Sequence, residues 1–321
     1  MTILIRALVI FFVVGVALWL ISFAVEELRT KPSEPEKLAW GPDLRIHHTD
    51  LDGVKVRYIK TGAGPDLVLL HTLRTQLDIF QKMLPELQKH FTVYAVDYPG
   101  HGWSDIPNVK YDPNQFYEWA EKFLGKIDVQ DATIAGISIG GTIVLELAAR
   151  RNPRVAKAIA INPYDYPPSF SAGLTGSSVI AQALFTATDF PFIGETFMRL
   201  RNPFGERKIF EGGVADPSSI SDELFTEFSS VGNRPGHYQA FISLLRERDR
   251  FQDARKNYPD IKVPVLLVFG DQDWATQDER ARTRDLIPGV RMVIVKDGGH
   301  FLSLDQPESL QTLIIEFAKE P

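Results

Sequence analysis

Ser138 is the residue whose surroundings most strongly indicate covalent chemistry. It is the centre of residues 136–140, Gly-Ile-Ser-Ile-Gly, which separate an apolar run from a stretch with helical character. A serine at a sharp turn between a strand and a helix is held in a strained conformation that raises its hydroxyl above the sheet, and small residues two positions away let the two elements approach closely. An ordinary turn can share this spacing, but the predicted strand and helix around it favour a nucleophile.

A serine nucleophile needs a base to remove its proton and donors for the charge that develops on an attacked carbonyl. The N-terminus of the following helix directs the backbone N–H of Ile139 toward that charge. His300 is the best candidate base, because it lies in a glycine loop directly after the last predicted strand. The adjacent His47 and His48 point to opposite faces of a predicted strand, which disfavours a shared metal site. His237 is a reserve candidate for substrate contact.

An acid must orient the histidine, and three aspartates stand where it could do so. Asp271 and Asp273 directly follow one predicted buried strand, and Asp165 follows another. The carboxyl ends of parallel strands share one edge of the sheet, so each of these carboxylates could reach a histidine there. The residues alone leave the choice open.

From residue 46 to residue 318 the chain resembles the α/β-hydrolase superfamily. The resemblance rests on the serine motif, on the Gly-Asp-Gln-Asp loop and on the late histidine, which follow one another in the family's order. It implies a triad of Ser138, Asp273 and His300, with Asp165 as the alternative acid. Dehalogenases and soluble epoxide hydrolases of this superfamily have aspartate at the position of the serine, so the resemblance excludes their chemistry.

The resemblance also implies an oxyanion loop at residues 71–74, His-Thr-Leu-Arg. The N–H of Leu73 would then be the second oxyanion donor, beside that of Ile139. The loop departs from the family pattern because Thr72 replaces the expected glycine, and a β-branched residue restricts the backbone. Arg74 could bind a substrate carboxylate, but a surface salt bridge is the expected interaction.

Apolar runs and helical stretches alternate along most of the chain. Residues 45–61 alternate apolar and polar side chains around an Asp-Gly pair, which is typical of a β-hairpin. The later strands are almost wholly apolar, which predicts an α/β fold with a mainly parallel sheet and helices on both faces. Predicted strands after the hairpin cover residues 66–71, 91–96, 131–137, 157–161, 263–269 and 291–295, and predicted helices include 80–89, 140–151 and 307–319.

Residues 163–251 interrupt this alternation after the sixth predicted strand, and we interpret them as a helical cap inserted into the hydrolase core. The core would then consist of residues 43–162 and 252–321. The cap is rich in phenylalanine, which could roof an apolar acyl pocket, although most of these rings are expected to form the cap's own small core. The phenylalanines are Phe170, Phe185, Phe190, Phe192, Phe197, Phe204 and Phe210.

The N-terminus predicts a membrane anchor at residues 1–25, followed by a charged, proline-containing tether at residues 26–42. Residues 7–25 carry no charge, and as a helix they would span about 28 Å, close to the roughly 30 Å of a bilayer core. A signal peptide cleaved after residues 22–24 is the alternative, which would export the protein. The distribution of Lys and Arg leans only weakly toward a cytoplasmic catalytic domain, so the membrane face stays open.

The composition limits the classes of partner and cofactor that the protein is expected to bind. The formal net charge is −6, so no basic surplus exists for nucleic acid, and the absence of cysteine excludes disulfides, thiolate metal sites and a cysteine nucleophile. No phosphate loop, zinc spacing or dinucleotide fingerprint suggests a cofactor or a metal. The expected partners are a small, apolar acyl substrate and the membrane, reached through the N-terminal helix. The oligomeric state is not indicated.

These observations predict a serine hydrolase that cleaves a carboxylic ester or a lipid-like acyl substrate through an acyl-enzyme. Two alternatives remain at this level. A carbon–carbon bond hydrolase can use the same triad, which by itself does not separate the two reactions. A catalytically silent binding protein of the same fold is the second alternative, kept open by the altered oxyanion loop.

Overall fold

A single sheet organises the fold. The computed structural model describes residues 2–167 and 179–320. In this part of the chain the sheet has eight strands: β1 (Ile46–Leu51), β2 (Val54–Thr61), β3 (Asp66–Leu70), β4 (Thr92–Val96), β5 (Ala132–Ile137), β6 (Val155–Ile161), β7 (Val265–Gly270) and β8 (Arg291–Val295). Their order is β1-β2-β4-β3-β5-β6-β7-β8, antiparallel from β1 to β4 and parallel from β4 to β8. The predicted α/β fold with a mainly parallel sheet is confirmed.

Helices flank the sheet and also fill the interval between β6 and β7. Within the described ranges they are α1 (Thr2–Glu27), α2 (Leu84–Leu87), α3 (Pro113–Lys126), α4 (Ile139–Ala149), α5 (Val179–Thr188), α6 (Ile193–Arg199), α7 (Pro203–Glu211), α8 (Asp222–Gly232), α9 (His237–Glu247), α10 (Gln277–Leu286), α11 (Leu302–Asp305) and α12 (Pro307–Lys319). Helices α5 to α9 lie in the segment for which the sequence predicts a helical cap after the sixth strand, and we call this group of helices the cap.

The central strands are apolar throughout because both faces of the sheet are covered. Successive side chains of a strand point to opposite faces, so Val68 of β3 packs in the same core as Phe116 of α3, whereas its neighbour Leu69 packs in the core that contains Ile314 of α12. All four of these side chains are inaccessible to solvent. Two cores, one on each face, thus fix the sheet between its layers of helices.

The prediction of one helix over residues 80–89 is wrong. The structure has a 3₁₀ turn at Leu77–Phe80 and, after a break, only the single turn of α2. Pro85 is the reason, because a proline within a helix has no N–H to donate to the preceding turn and its ring collides with that turn.

Most of the seven cap phenylalanines named above were expected to be buried, but the structure exposes four of the six that it describes. Phe185 and Phe210 are buried, but Phe190, Phe192, Phe197 and Phe204 are between 51% and 71% exposed. Phe170 lies outside the described residues. Phe210 stacks on Phe228 of α8 with ring centroids 5.2 Å apart in one core of the sheet, whereas Phe185 packs in the core on the other face. The cap therefore shares the two cores of the sheet and also has an apolar outer edge.

Helix α1 is long and apolar enough to cross a bilayer, although a signal sequence has the same properties. Most of its length is exposed, but its last two turns pack against α6 of the cap. The buried Ser22 hydroxyl accepts a hydrogen bond from Arg199 Nε at 2.9 Å, and Glu26 pairs with Arg201 at 2.6 Å. The polar end of α1 is thereby attached to the cap.

A fully buried arginine fixes the turn that follows β4. Arg57 of β2 places its Nε 2.6 Å from Asp97 and an Nη 3.0 Å from Asp78. Asp97 also accepts hydrogen bonds from the backbone N–H groups of Leu77 and Trp103. This carboxylate connects β2, β4 and the two adjacent loops, which gives residues 97–105 a structural role.

We expect Arg57→Met to lower the free energy of unfolding by about 3–5 kcal/mol, because it leaves two buried carboxylates without their cation. The control is Lys55→Met on the same strand, since Lys55 is half exposed and pairs with Glu34 at the surface. That change should cost less than about 1 kcal/mol. Urea unfolding of the full chain in detergent, followed by circular dichroism, measures both. Equal losses would contradict the role given to Arg57.

Candidate active site

Ser138 lies at the turn between β5 and α4 in a conformation that few residues adopt. Its φ is 59° and its ψ is −118°, and its side chain is inaccessible. The surrounding backbone fixes this strain: the N–H of Ser138 donates to Ile161 O at the end of β6, at 2.8 Å, and the N–H of Tyr164 donates back to Ser138 O at 3.1 Å. The serine is therefore held at the carboxyl edge of the sheet.

Two glycines are required for this turn to form. A Cβ atom on Gly136 would lie 2.3 Å from the backbone of Gly140, and one on Gly140 would lie 2.4 Å from Leu70 O. Non-bonded atoms do not approach each other this closely, so a side chain at either position would push α4 away from β5 or from β3. The spacing seen in the sequence thus reflects the close approach of three elements.

His300 follows β8 and is oriented by two neighbours from the loop after β7. Its Nδ1 is 2.5 Å from Asp273 Oδ1, and both side chains are fully buried. The Trp274 ring stacks on the imidazole with a centroid separation of 3.7 Å and an interplanar angle of 11°. The second oxygen of Asp273 accepts from the N–H of Ala275 at 3.0 Å. The imidazole is thereby fixed in position, with Nε2 on the side opposite the carboxylate.

The alternative acid, Asp165, has different partners. Its carboxylate is fully buried and accepts hydrogen bonds from Thr283 Oγ1 at 3.0 Å and from an Nη of Arg255 at 3.1 Å. Burial raises the pKa of Asp165, although Arg255 and Thr283 oppose the shift. The structure therefore brings Asp273 to His300, and it places Asp165 in a buried ion pair that joins the loop after β6 to α10.

Asn162 connects the histidine loop to the end of β7, a role that the sequence alone did not indicate. Its Nδ2 donates to the carbonyl oxygens of Gly299 and His300 at 3.0 and 2.9 Å, and its Oδ1 accepts from Gly270 N at 2.9 Å. Its φ of 46° is one that asparagine tolerates better than most residues. An asparagine directly after a buried strand was the signal that could have indicated it.

Ser138 Oγ and His300 Nε2 are among the buried polar atoms that have no hydrogen-bond partner in the described residues, and Thr72 Oγ1 of the predicted oxyanion loop is another. Buried polar groups are normally paired, and a catalytic role is one reason for an exception. The two atoms that a serine–histidine mechanism would use are thus not engaged by other side chains or by the backbone.

The predicted oxyanion loop follows β3 and is anchored by a neutral histidine. Burial lowers the pKa of His71 to about 3, so its Nε2 can accept the N–H of Tyr98 at 3.1 Å. Leu73 is buried beside it, and Arg74 has a φ of 61°, so the chain turns sharply here. Thr72 is accommodated within the turn, where its carbonyl oxygen lies 2.7 Å from His71 Nδ1.

Arg74 is not at the surface, where a salt bridge was expected. It is only 10% exposed in its side chain and pairs under the cap with Glu206 of α7, at 2.7 Å. His237 lies 3.4 Å from the same guanidinium. His237 is buried and, like Ser138 and His300, is not among the residues that line the adjoining cavity, so its contact with substrate stays a prediction.

An apolar cavity of about 480 Å³ adjoins these residues. Its lining includes Leu73 of the predicted oxyanion loop, Trp274, which stacks on His300, Phe210 and Phe241 of the cap, and Leu18 of α1, but neither Ser138 nor His300. A cavity of this size and lining is typical of sites for small organic ligands. In the described part of the chain, no group of three or more His, Asp or Glu side chains is arranged to bind a metal ion.

The arrangement of strand, serine turn and late histidine agrees with a comparison against known families. The family described as having the alpha/beta hydrolase fold matches residues 65–307, most of the chain. This chain belongs to the α/β-hydrolase family. The predicted family and enzyme class, an α/β-hydrolase, are confirmed.

Curated relatives of this hydrolase include esterases. Carboxylesterase YbfK of Bacillus subtilis is 27% identical over 275 residues, which cover 82% of this chain and 84% of that protein. A pimeloyl-[acyl-carrier protein] methyl ester esterase of Nitrosospira multiformis is 26% identical over 80% of this chain and 96% of its own length. Among solved structures, a membrane phospholipase A has a TM-score of 0.72 at 22% identity, covering 100% of this chain and 97% of that one. This last likeness shows the fold.

The glycine spacing of this hydrolase gives a matched pair of substitutions. Gly140→Ala should lower the free energy of unfolding by about 1–3 kcal/mol, because its methyl group collides with Leu70 O and forces the backbone apart. Gly125→Ala in α3 meets nothing within 4 Å and should raise the same quantity by about 0.4–1 kcal/mol. Urea unfolding compares the two. A neutral or stabilising Gly140→Ala would contradict the close approach described here.

Proposed function

We propose that this α/β-hydrolase is a serine esterase in which Ser138 is the nucleophile, His300 the base and Asp273 the orienting acid. The observation that carries the proposal is the buried 2.5 Å contact between His300 Nδ1 and Asp273 Oδ1. A carboxylate at Nδ1 keeps the proton on that nitrogen, so Nε2 is the acceptor that a serine hydroxyl requires. The strained turn at Ser138 supports the same assignment.

Acylation of Ser138 follows from these roles. Ser138 Oγ attacks the ester carbonyl carbon while its proton passes to His300 Nε2, and the carbonyl oxygen becomes an oxyanion. The N–H groups of Ile139 and Leu73 are the proposed donors to that oxygen. When the tetrahedral intermediate collapses, the bond to the alcohol breaks, and His300 returns the proton to the leaving oxygen. The acyl group remains on Ser138 as an ester.

Water completes the reaction by the same route. His300 Nε2 takes a proton from the water as its oxygen attacks the acyl carbonyl, and the same two N–H groups stabilise the second oxyanion. Collapse of this intermediate breaks the bond to Ser138 Oγ, which recovers its proton from His300. The products are the alcohol and a carboxylic acid, and no cofactor is needed.

The substrate class is proposed from the cavity. Its walls are mainly aliphatic and aromatic side chains, and they include Leu73 of the proposed oxyanion loop and Trp274, whose ring stacks on His300. An apolar acyl chain would bury its methylenes there, each contributing about 0.8 kcal/mol. The named relatives act on carboxylic esters, which supports an ester with an apolar acyl part.

We further propose that α1 is retained as a single membrane anchor, with residues 163–251 as the cap and residues 26–42 as the tether. The contacts at the end of α1 support retention. Cleavage after residue 24 would remove Ser22 from Arg199, with which it forms a buried hydrogen bond across 177 positions of the sequence.

A panel of nitrophenyl esters with increasing acyl length tests the function on the full chain in detergent. Each added methylene should raise kcat/KM by up to about fourfold until the cavity is filled, since burial of a methylene contributes about 0.8 kcal/mol. Ser138→Ala should lower kcat by about 10⁶-fold, whereas Ser230→Ala in the cap should keep the activity of the natural protein.

The panel includes a vinylogous diketone as a substrate for carbon–carbon bond hydrolysis. Cleavage of the diketone without cleavage of any ester would make the protein a carbon–carbon bond hydrolase. Ester cleavage that does not depend on acyl length would remove the acyl role of the cavity. Activity that survives Ser138→Ala would remove the serine mechanism.

The acid is tested by a matched pair of isosteric changes. Asp273→Asn should lower kcat by about 10⁴-fold, because an amide cannot hold the imidazole in the tautomer that accepts the serine proton. Asp165→Asn should leave kcat within about tenfold but lower the free energy of unfolding, because it breaks the buried pair with Arg255. Measuring kcat and urea unfolding for both variants separates the roles. A reversed result would identify Asp165 as the acid.

A further inference from the structure

The outer edge of the cap is strongly apolar without being part of a core. Phe190 and Phe192, in the link between α5 and α6, are 55% and 70% exposed, and Ile193 and Phe197 of α6 are 50% and 51% exposed. We call these four residues the cap edge. Soluble proteins rarely expose so many large apolar side chains in one short segment, and such patches mark interaction sites.

The cap edge lies beside α1, and the two segments run in the same direction. Ser22 of α1 contacts Arg199, and Glu26, one turn later, contacts Arg201. One turn earlier on α1, Leu18 lines the same cavity as Phe197. Position along α1 and position along residues 197–201, the end of α6 and the two residues after it, therefore increase together.

Both segments change from apolar to charged at the same level. Residues 7–25 of α1 carry no charge, and Glu26 and Glu27 follow. On the cap, the apolar edge is followed by Arg199 and Arg201, which are the partners of Ser22 and Glu26. A bilayer produces such a coincidence, because it imposes one boundary between hydrocarbon and water on every element that crosses it.

The two acidic residues near the cap edge, Asp189 and Glu195, are each paired with an arginine. Asp189 forms a two-pronged ion pair with Arg248, and Glu195 pairs with Arg246 of α9 at 2.9 Å. Glu195 is two residues from both Ile193 and Phe197, which places it on the opposite face of α6. Arg199, the last residue of α6, has no carboxylate partner among the described residues, but its guanidinium is buried against Ser22, Phe23 and Tyr238 and does not face the cap edge.

The length of α6 sets the depth. Phe192, at its N-terminus, precedes Arg199 by seven positions, which corresponds to about 10 Å along a helix. Amphipathic elements that lie on membranes bury their apolar faces about 5–10 Å into the boundary between headgroups and acyl chains. With Arg199 and Glu26 at the level of the headgroups, Phe192 would reach that boundary.

We propose that the cap edge is a second membrane contact, in which Phe190, Phe192, Ile193 and Phe197 insert into the bilayer beside α1. The proposal rests on the anchorage proposed above for α1. Leu18 and Phe197 line the cavity and are also about half exposed, so they form its rim. The contact therefore opens the cavity toward the bilayer surface, and an apolar acyl chain can enter it without crossing water.

The chain has no cysteine, so single cysteines can carry an environment-sensitive fluorophore on the otherwise natural full chain. Three variants are labelled: Phe192→Cys at the cap edge, Phe11→Cys in the middle of α1, and Ala63→Cys in the exposed turn before β3, at the end of the sheet opposite the cap. The labelled proteins are reconstituted into phosphatidylcholine–phosphatidylglycerol vesicles, with and without nitroxide-labelled phosphatidylcholine. Thermal unfolding by circular dichroism checks that each variant is folded.

The label at position 192 should emit at shorter wavelength than the label at position 63 and should be quenched by the nitroxide lipid, as should the label at position 11. The label at position 63 should not be quenched. Quenching at position 11 but not at position 192 would overturn the second contact and leave the anchor intact. Absence of quenching at both positions would overturn the anchor and the contact together.

A second copy of the chain is the competing occupant of the cap edge. It would also shift the emission at position 192 to shorter wavelength, but without quenching by the lipid, and the shift would disappear as the protein is diluted with excess lipid. That result would overturn the membrane contact. None of these measurements depends on esterase activity, so they stand apart from the test of the proposed function.

Discussion

The arrangement at the carboxyl edge of the sheet depends on the side-chain amide of Asn162. It donates to two carbonyl oxygens of the loop that carries His300 and accepts the N–H of Gly270 at the end of β7. The preceding residue, Ile161, accepts the N–H of Ser138. Hydrogen bonds inside a protein are strengthened by the low dielectric and are costly to leave unmade. One buried asparagine therefore sets the relative positions of three loops that come from distant parts of the chain.

A chain of ion pairs joins the cap, the predicted oxyanion loop and the N-terminal helix. Glu26 of α1 pairs with Arg201, Arg201 lies 3.8 Å from Glu206, and Glu206 pairs with Arg74 at 2.7 Å. Each of these four side chains is less than 20% exposed, so their attraction is only partly screened by water. The loop that carries Leu73 is thus connected to the end of α1 through alternating charges, and the position of the cap is set from both sides.

The wall of the apolar cavity continues into the apolar outer surface of the protein. The walls next to Leu73 and Trp274 are continuous with a rim that includes Leu18 of α1. An aqueous enzyme would normally cover such a rim with polar side chains, because exposed apolar surface is unfavourable in water. Here the neighbouring surface stays apolar along α1 and along the cap, which is consistent with the function and the membrane contact proposed above.

The sequence by itself determined the elements whose signals are local. Continuous apolar runs fixed the parallel strands, and the glycines around Ser138 indicated a turn that the close approach of three backbones makes necessary. Tertiary structure alone decided which carboxylate lies beside His300. Asp273 and Asp165 both follow buried strands, and only the packing brings Asp273 to His300 and Asp165 to Arg255. It also buried Arg74 under the cap, gave Asn162 its role and turned four cap phenylalanines outward. These outcomes depend on which distant segments meet, and no local pattern of residues encodes that.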